Sequence, residues 1–191
     1  GLAAGAKEHK MGFRLSDTTE VVLENVRVPR SAVIGEVGCG MSIALNALNL
    51  SRAFISTLAV GIMQRALDEA VAYAKQRKQF GRRLIDFEMV QAMLADMAIK
   101  TEAARVLVNN CMRQMDAGEM VRKDGAIVKT FVTDAMQEVV SNAVQVLGGY
   151  GYSEEYPVEK LMRDAKIFQI FEGSNQIQRM TIAKELDREY R

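Results

Sequence analysis

Helical periodicity covers most of this sequence. Apolar residues recur at intervals of three and four over three long segments, which predict helices at about Met41 to Gln76, Asp86 to Ala117 and Val121 to Leu147. Glycines follow the second and third segments, at Gly118 and at Gly148-Gly149, where glycine commonly ends a helix. Three long helices joined by short connections predict a mainly α protein built as an antiparallel helical bundle.

Each predicted helix has one face that we expect to lie in the core. The expected inward residues of the first helix are Ile43, Ala47, Leu50, Phe54, Leu58, Ile62, Ala66 and Ala70. Those of the second helix are Val90, Leu94, Met97, Ala104, Val108, Cys111 and Met115. Those of the third helix are Val128, Phe131, Ala135, Val139, Ala143 and Val146.

The residues before the first helix have a different pattern. β-Branched residues predict two strands, at Met11 to Arg14 and at Thr18 to Val28, and Pro29 ends the run. No structure is predicted for Gly1 to Lys10. Because two strands alone are marginally stable in water, three outcomes are open for them: they pair with a second chain, pack on the helices or fray.

Composition and charge argue against several classes of function. The formal net charge is +1 and the charges are interspersed, which disfavours a nucleic-acid-binding surface or a polybasic membrane surface. One histidine, His9, and two cysteines, Cys39 and Cys111, provide neither metal-ligand spacing nor a disulfide framework. No uncharged apolar run of about 18 residues occurs, so the sequence predicts no membrane-spanning helix.

The segment from Lys160 to Arg179 has the residues of greatest chemical interest. Two short helical patterns flank the turn Phe171-Glu172-Gly173-Ser174-Asn175. Glycine permits close approach to the backbone, and Ser174 or Asn175 can cap the helix that follows, whose N–H groups attract anions. Two interpretations are open. Glu172 is a solvated loop acid beside an ordinary cap, or it is a carboxylate base held over a ligand.

Three strings of sequence resemble the acyl-CoA dehydrogenases, in the order in which that family has them. They are MGFRLSDTTEVVLENVRVP from Met11 to Pro29, YAKQRKQFGRRLIDFEMVQAMLADMA from Tyr73 to Ala98, and SNAVQVLGGYGYSEEYPVEKLMRDAKIFQIFEGSNQIQR from Ser141 to Arg179. The medium- and short-chain enzymes are the members that they resemble most. The resemblance implies that residues 36–191 form a helical C-terminal domain and that residues 1–35 are the remnant of a middle β domain. It also implies a parent protein that is longer than this chain.

The resemblance also implies an activity, the FAD-dependent α,β-dehydrogenation of an acyl-CoA. Glu172 matches the base that removes the α-proton, and its own N–H, next to Gly173, matches a donor to the thioester oxygen. Asn49 and Arg52 match a segment that contacts the acyl-CoA, so Asn49, Arg52 and Gly173 are the candidate substrate-binding residues. For Arg52 an ion pair within or between helices is the alternative. Some relatives have the base just before this arginine, where Ser51 cannot serve.

The candidate cofactor-binding residues fall in three places. The first is the break after the first helix, where a guanidinium and an amide suit a pyrophosphate; its residues are Arg77, Gln79, Phe80, Leu84 and Phe87. In the family this loop binds FAD across a subunit interface. The second place matches an adenosine contact, at Gln145, Gly148 and Gly149. The third matches contacts to the phosphates and the AMP end, at Ser174 and Gln176.

Alternatives to these assignments are open. A solvated basic loop is the ordinary interpretation of the residues after the first helix, and Glu88 would place a negative charge near a diphosphate. The double glycine is compatible with a plain helix stop. As a separate piece, the 191 residues could be a non-catalytic oligomerising helical bundle. The parent could also be a decarboxylating relative that acts on glutaryl-CoA.

The resemblance implies partners as well. They are the acyl-CoA substrate, an electron-transfer flavoprotein and further copies of the chain in a homotetramer, a dimer of dimers. No nucleic acid and no membrane span are expected. The compartment would be the cytoplasm in a bacterium or the mitochondrial matrix in a eukaryote. Because the middle domain that covers the isoalloxazine ring is mostly absent, the isolated chain is expected to be inactive.

Overall fold

The computed structural model describes all residues 1–191, and most of them lie in five α-helices. The helices are α1 Gly40–Gln76, α2 Glu88–Asp116, α3 Arg122–Leu147, α4 Pro157–Ala165 and α5 Asn175–Glu189. The predicted mainly α bundle is confirmed, and the three long helices start and end within two residues of their predicted bounds. Short 3₁₀ helices occupy Arg30–Ala32, Leu84–Asp86, Gly148–Tyr152 and Lys166–Gln169.

Helix α3 is the centre of the bundle and contacts all four other helices. Its buried valines, such as Val132 and Val139, are fully enclosed, and each such side chain contributes about 1.5–3 kcal/mol by leaving water. The facing side of α1 has fully buried alanines, among them Ala59 and Ala66. Small side chains at the contact allow two helix axes to approach closely.

The inward face predicted for the N-terminal half of α1 is wrong. Ile43, Leu50, Phe54 and Leu58 are 36%, 48%, 53% and 53% exposed, whereas the buried residues of this half include Arg52, Ala53, Ser56 and Ala59. The reason is that α1 is apolar on more than one face, so periodicity alone does not select the face that meets α3. Phe131 of α3 is also 41% exposed, although it was predicted to point inward.

The N-terminal segment differs from the prediction too. Two antiparallel strands, β1 Leu2–Ala4 and β2 Val21–Leu23, pair in a two-stranded sheet, and Met11 to Arg14 is not a strand. Instead, the N–H of Phe13 donates to Oδ1 of Asp164 over 2.5 Å. Gly12 lies so close to α4 that a Cβ there would be 2.4 Å from the carbonyl oxygen of Arg163. This segment is therefore fixed by contacts with α4.

A second small hairpin follows α1. Its strands are β3 Lys78–Gln79 and β4 Arg82–Arg83, and the Phe80-Gly81 pair forms the turn with φ angles of 51° and 80°. Positive φ at both turn residues is the geometry of the common two-residue hairpin loop. The basic segment after α1 is therefore an ordered hairpin.

By length and composition α1 could cross a membrane, since an 18-residue window within it has a mean hydropathy of 1.4. The sequence prediction of no spanning helix relied on the absence of an uncharged run of this length. The length and composition of α1 are only weak evidence for a membrane-spanning helix, because core helices of soluble proteins meet the same two criteria.

Candidate active site

The turn between the 3₁₀ helix Lys166–Gln169 and α5 has an unusual backbone. Glu172 and Gly173 are both left-handed, with φ angles of 54° and 84°. A non-glycine residue in this conformation costs roughly 1–2 kcal/mol, so tertiary contacts must stabilise Glu172 there. Ser174 is the N-cap of α5, and its Oγ accepts the N–H of Ile177 over 3.4 Å.

Two buried side chains stabilise the carbonyl groups of this turn. Nε2 of Gln178 donates to the carbonyl oxygens of Glu172 and Gly173, over 3.2 and 3.0 Å. Nζ of Lys129 donates to the carbonyl oxygen of Gly173 over 2.9 Å and to Oδ1 of Asn175 over 2.7 Å. A Cβ at Gly173 would lie 2.5 Å from Nε2 of Gln178 and would displace that amide, and the φ of 84° also favours glycine here.

Asn175 connects the turn to a larger hydrogen-bond network on α3. Its Nδ2 donates to Oγ1 of Thr133 over 2.8 Å and to Oδ1 of Asp134 over 2.7 Å. Asp134 also accepts from Gln169 and from Arg179, each over 2.6 Å. Burial acts to raise the pKa of Asp134, but the hydrogen bonds from Arg179, Gln169 and Asn175 together lower it below its usual value. Asp134 is therefore an ionised anchor for the start of α5.

The carboxylate of Glu172 lies against α1. Oγ of Ser51 donates to Oε2 of Glu172 over 2.5 Å. The neighbouring Arg52 is only 7% exposed, and its NH1 donates to Oδ1 of Asn49 over 2.8 Å. Burial lowers the pKa of Arg52, as does Arg122, whereas Glu172 raises it.

The structure therefore brings Glu172 together with the segment of α1 that holds Asn49 and Arg52. The partner of Arg52 is an amide on its own helix, and the ion pair that is the alternative interpretation of Arg52 is not formed. Its Nε is buried with no hydrogen-bond partner in the chain. The N–H of Glu172 also makes no hydrogen bond within the chain, although the carbonyl groups of the turn do.

A second region is a groove of about 560 Å³ between the hairpin after α1 and the end of α3. Five of the ten candidate cofactor residues line it; they are Arg77, Gln79, Leu84, Gly148 and Gly149. The N–H of Leu84 donates to the carbonyl oxygen of Arg77 over 2.8 Å, which closes the base of the hairpin. The guanidinium of Arg77 lies 5.6 Å from the ring centre of Tyr150, another groove residue.

The other candidate cofactor residues lie outside this groove. Phe80 is 92% exposed at the hairpin tip, and its ring centre is 6.4 Å from that of Phe87, beyond the groove lining. Gln145 is exposed on α3, while Ser174 and Gln176 lie at the start of α5. Phe87 is not part of the groove that this chain forms by itself. The binding roles of all ten residues stay predictions.

Residues 38–186 match the family model described as the acyl-CoA dehydrogenase C-terminal domain. The chain belongs to the acyl-CoA dehydrogenase family. It is 48% identical over 97% of its length to the probable acyl-CoA dehydrogenase FadE25 of Mycobacterium tuberculosis, and it covers 48% of that protein. It is 42% identical over 96% of its length to subunit CarC of the caffeyl-CoA reductase-Etf complex of Acetobacterium woodii, again covering 48% of that protein.

Solved structures give the same result for the fold of this acyl-CoA dehydrogenase chain. Butyryl-CoA dehydrogenase of Megasphaera elsdenii superimposes with a TM-score of 0.97 at 45% identity, over 98% of this chain and 49% of the other. A glutaryl-coenzyme A dehydrogenase in complex with glutaryl-CoA gives 0.94 at 36% identity, over 98% and 48%. The chain thus spans about half the length of the relatives that it matches.

Sequence reasoning missed four residues of this candidate site, namely Lys129, Thr133, Asp134 and Gln178. Lys129 had a signal that could have been used. It lies three and seven residues before Val132 and Met136, which are fully buried, so it is a charged residue on the inward face of a helix. Such a residue is expected to have a specific buried partner.

Burial makes Lys129 a source of pH-dependent stability. Burial lowers the pKa of Lys129 to about 8 from the usual 10.5. The charge of Arg52 also lowers this pKa, whereas Asp134 and Glu172 raise it. Between these two pH values the folded chain has released this proton while the unfolded chain retains it. The free energy of unfolding should therefore rise with pH in that window, by on the order of 1–3 kcal/mol from this residue.

The measurement is chemical denaturation of the wild type and of Lys129→Met at about pH 7 and about pH 10. Other groups titrate alike in both proteins, so the difference between the two proteins isolates Lys129. We expect the wild type to gain stability relative to the variant at the higher pH. An equal difference at both pH values would contradict the lowered pKa.

Proposed function

We propose that this chain is the C-terminal half of an FAD-dependent acyl-CoA dehydrogenase in which Glu172 removes the α-proton of an acyl-CoA. One observation carries the proposal. The left-handed turn presents a carboxylate beside Asn49 and Arg52 of α1, and the N–H of the same residue makes no hydrogen bond within the chain. A base and a hydrogen-bond donor are thus available on one residue.

The chemistry of a thioester explains why both groups are needed. The α C–H of an acyl-CoA is a very weak acid, so its removal requires a base within hydrogen-bond reach. Negative charge then develops on the thioester oxygen, where an N–H donor stabilises it. Glu172 provides the base and its N–H provides the donor. The hydroxyl of Ser51 donates to the carboxylate and so orients it.

The residues present fit FAD. Arg77 and Gln79 in the groove offer a guanidinium and an amide for a pyrophosphate. A Cβ at Gly148 or Gly149 would meet no atom within 4 Å, so the chain leaves open space there for an adenosine. The capped start of α5, with Ser174, offers N–H groups to a phosphate. When bound, FAD supplies the hydride acceptor, a chemistry that no side chain provides.

The separation of these surfaces supports an oligomer. The groove at Arg77 and the turn at Glu172 are formed by different ends of α1 and α3. One FAD would use the α5 end of one subunit and the Arg77 groove of another, as in the family. Exposed apolar residues of α1, among them Leu50, Phe54 and Leu58, are consistent with cover by another domain or subunit. A dimer of dimers is the proposed assembly.

The proposed electron acceptor is an electron-transfer flavoprotein. Support comes from the 42% identity to a subunit of a caffeyl-CoA reductase-Etf complex. A chain in a solved structure of the electron transferring flavoprotein of Acidaminococcus fermentans is also 42% identical, with a TM-score of 0.97 over 98% of this chain and 50% of the other. Oxidation of a short straight-chain acyl-CoA is proposed, because the butyryl-CoA enzyme is more similar in sequence than the glutaryl-CoA enzyme.

The test is a visible spectrum of the full-length protein without oxygen, before and after addition of butyryl-CoA, octanoyl-CoA or glutaryl-CoA. Flavin reduction bleaches the absorbance band at about 450 nm. We expect bleaching, and we expect it to be fastest with butyryl-CoA. Faster bleaching with glutaryl-CoA together with release of CO₂ would favour the decarboxylating alternative. Bound flavin that no acyl-CoA bleaches would show that the proposed substrate class is wrong.

A further inference from the structure

Lys129 is one of the largest fully buried side chains of the molecule, with an exposed fraction of 0%. It lies on α3, where its neighbours Val128 and Val132 belong to the hydrophobic core. Burial of an ammonium group is costly unless it is paired and hydrogen-bonded. An apolar residue of similar volume is often as stable or more stable at such a position. The presence of lysine there therefore needs an explanation other than the packing of the core.

The contacts of Lys129 point to the turn that holds Glu172. Its Nζ forms no ion pair within salt-bridge distance; it donates to the carbonyl oxygen of Gly173 and to Oδ1 of Asn175, over 2.9 and 2.7 Å. Asn175 is the first residue of α5 and Gly173 follows Glu172 directly. One ammonium therefore connects α3 to both sides of the N-cap residue Ser174.

Three charged groups on different parts of the chain act on the pKa of Lys129. Asp134 is on α3 itself, Arg52 is on α1, and Glu172 is in the turn. The two carboxylates favour the ammonium form of Lys129, and Arg52 opposes it.

We propose that Lys129 is a positioning residue for Glu172. By binding the carbonyl oxygen of Gly173 inside the bundle, it fixes the left-handed turn that directs the Glu172 carboxylate to Ser51 and leaves the Glu172 N–H free. This inference rests on the proposed role of Glu172 as the base. It assigns to Lys129 no contact with the substrate or the cofactor.

The coupling follows from backbone geometry. Glu172 occupies a φ of 54°, which a non-glycine residue adopts only when its surroundings determine it. The hydrogen bonds to the carbonyl of Gly173 come from Lys129 and Gln178. Without Lys129 that carbonyl keeps only the hydrogen bond from Gln178, so the peptide after Gly173 is held less firmly and the carboxylate moves with the turn. Misplacement of a reacting group by about 1 Å can lower a rate about 100-fold.

The test uses the full-length protein with Lys129→Met, which keeps the volume and removes the charge and the donor. Lys123→Met is the matched control, because it makes the same change on the same helix at an exposed pair with Glu189. For Lys129→Met we expect a fall in kcat of about 10–100-fold with a change in acyl-CoA KM of less than about 3-fold, and unchanged flavin content. The control should leave all three quantities unchanged.

A second measurement reports on removal of the α-proton without hydride transfer. A 3-thia-acyl-CoA has a sulfur in place of the β-carbon, so it has no β-hydrogen to transfer, yet its α-hydrogens can still exchange with D₂O. We expect the wild type to exchange them, as followed by NMR, and Lys129→Met to exchange them about 10–100-fold more slowly. A defect in substrate binding alone would raise KM and leave the exchange at saturation unchanged, which would overturn the positioning role.

Failure of this inference is distinguishable from failure of the proposed function. A wild type that neither exchanges the α-hydrogens nor bleaches with any acyl-CoA overturns the function of Glu172. A wild type that exchanges them as fast as Lys129→Met overturns only the role of Lys129. If Lys129→Met does not fold, Lys129→Leu removes the same donor with a shorter apolar side chain. Unchanged kcat and exchange in that variant would equally overturn the inference.

Discussion

Replacement of Glu172 by glutamine is expected to lower acyl-CoA dehydrogenation by the full-length protein about 10³–10⁴-fold, at the upper end of the range for loss of a general base. The amide has nearly the shape of the carboxylate, so Oγ of Ser51 still has an acceptor at position 172. It cannot accept the α-proton. The loss should therefore appear in kcat, while flavin content and acyl-CoA binding stay close to wild type.

Single-turnover bleaching by butyryl-CoA is the measurement, with flavin content determined on the same samples. Glu154→Gln is the matched control, because it makes the same change at an exposed residue outside the turn. Its rate should equal that of the wild type. A Glu172→Gln variant that still turns over at the wild-type rate would exclude Glu172 as the base. It would favour the alternative interpretation, a solvated loop acid.

Replacement of Arg77 by alanine is expected to weaken flavin binding about 10–100-fold, since a hydrogen bond to a charged group contributes roughly 1.5–3 kcal/mol. The fold should persist. The hairpin is closed by the backbone hydrogen bond from Leu84 to Arg77, which alanine keeps, and the guanidinium lies 5.6 Å from the ring centre of Tyr150. The purified variant should therefore lose its yellow colour but keep its helical content.

The flavin-to-protein ratio after gel filtration measures this effect, and a titration of the apoprotein with FAD gives the change in Kd. Lys78→Ala is the control, because Lys78 is the next residue of the same hairpin and does not line the groove. Equal flavin content in wild type and Arg77→Ala would favour the solvated basic loop. Equal loss in both variants would indicate a general electrostatic effect of the hairpin.

The errors in the sequence prediction have identifiable causes. Apolar spacing predicts helix α1 but not its inward face, because both faces are apolar and only contact with α3 and α2 selects one. Local preference predicts a strand at Met11 to Arg14, whereas the N–H of Phe13 is bound by Asp164, which lies 151 positions later. Local patterns do not contain such distant contacts.

In the candidate site, too, some features can be predicted from the sequence and others appear only in the folded chain. Glu172, Ser174 and the helix that follows could be selected from the sequence, because glycine, a cap residue and an acid stand next to one another. The contact between Ser51 and Glu172 spans 121 positions, and that between Lys129 and Gly173 spans 44. Neither separation along the sequence corresponds to a helical or strand period. These partners become visible only when α1, α3 and the turn are packed together.

The sequence by itself determined the helices, their ends, the family and the acid in the turn. These follow from residue spacing within one element and from strings of adjacent residues, which are local properties of the chain. Only the tertiary structure decided which face of α1 is buried, that Glu172 adopts a left-handed backbone, and that Lys129 and Gln178 stabilise it. The physical reason is that these features depend on hydrogen bonds and packing between elements far apart in the chain, whose energies are fixed only once the bundle has formed.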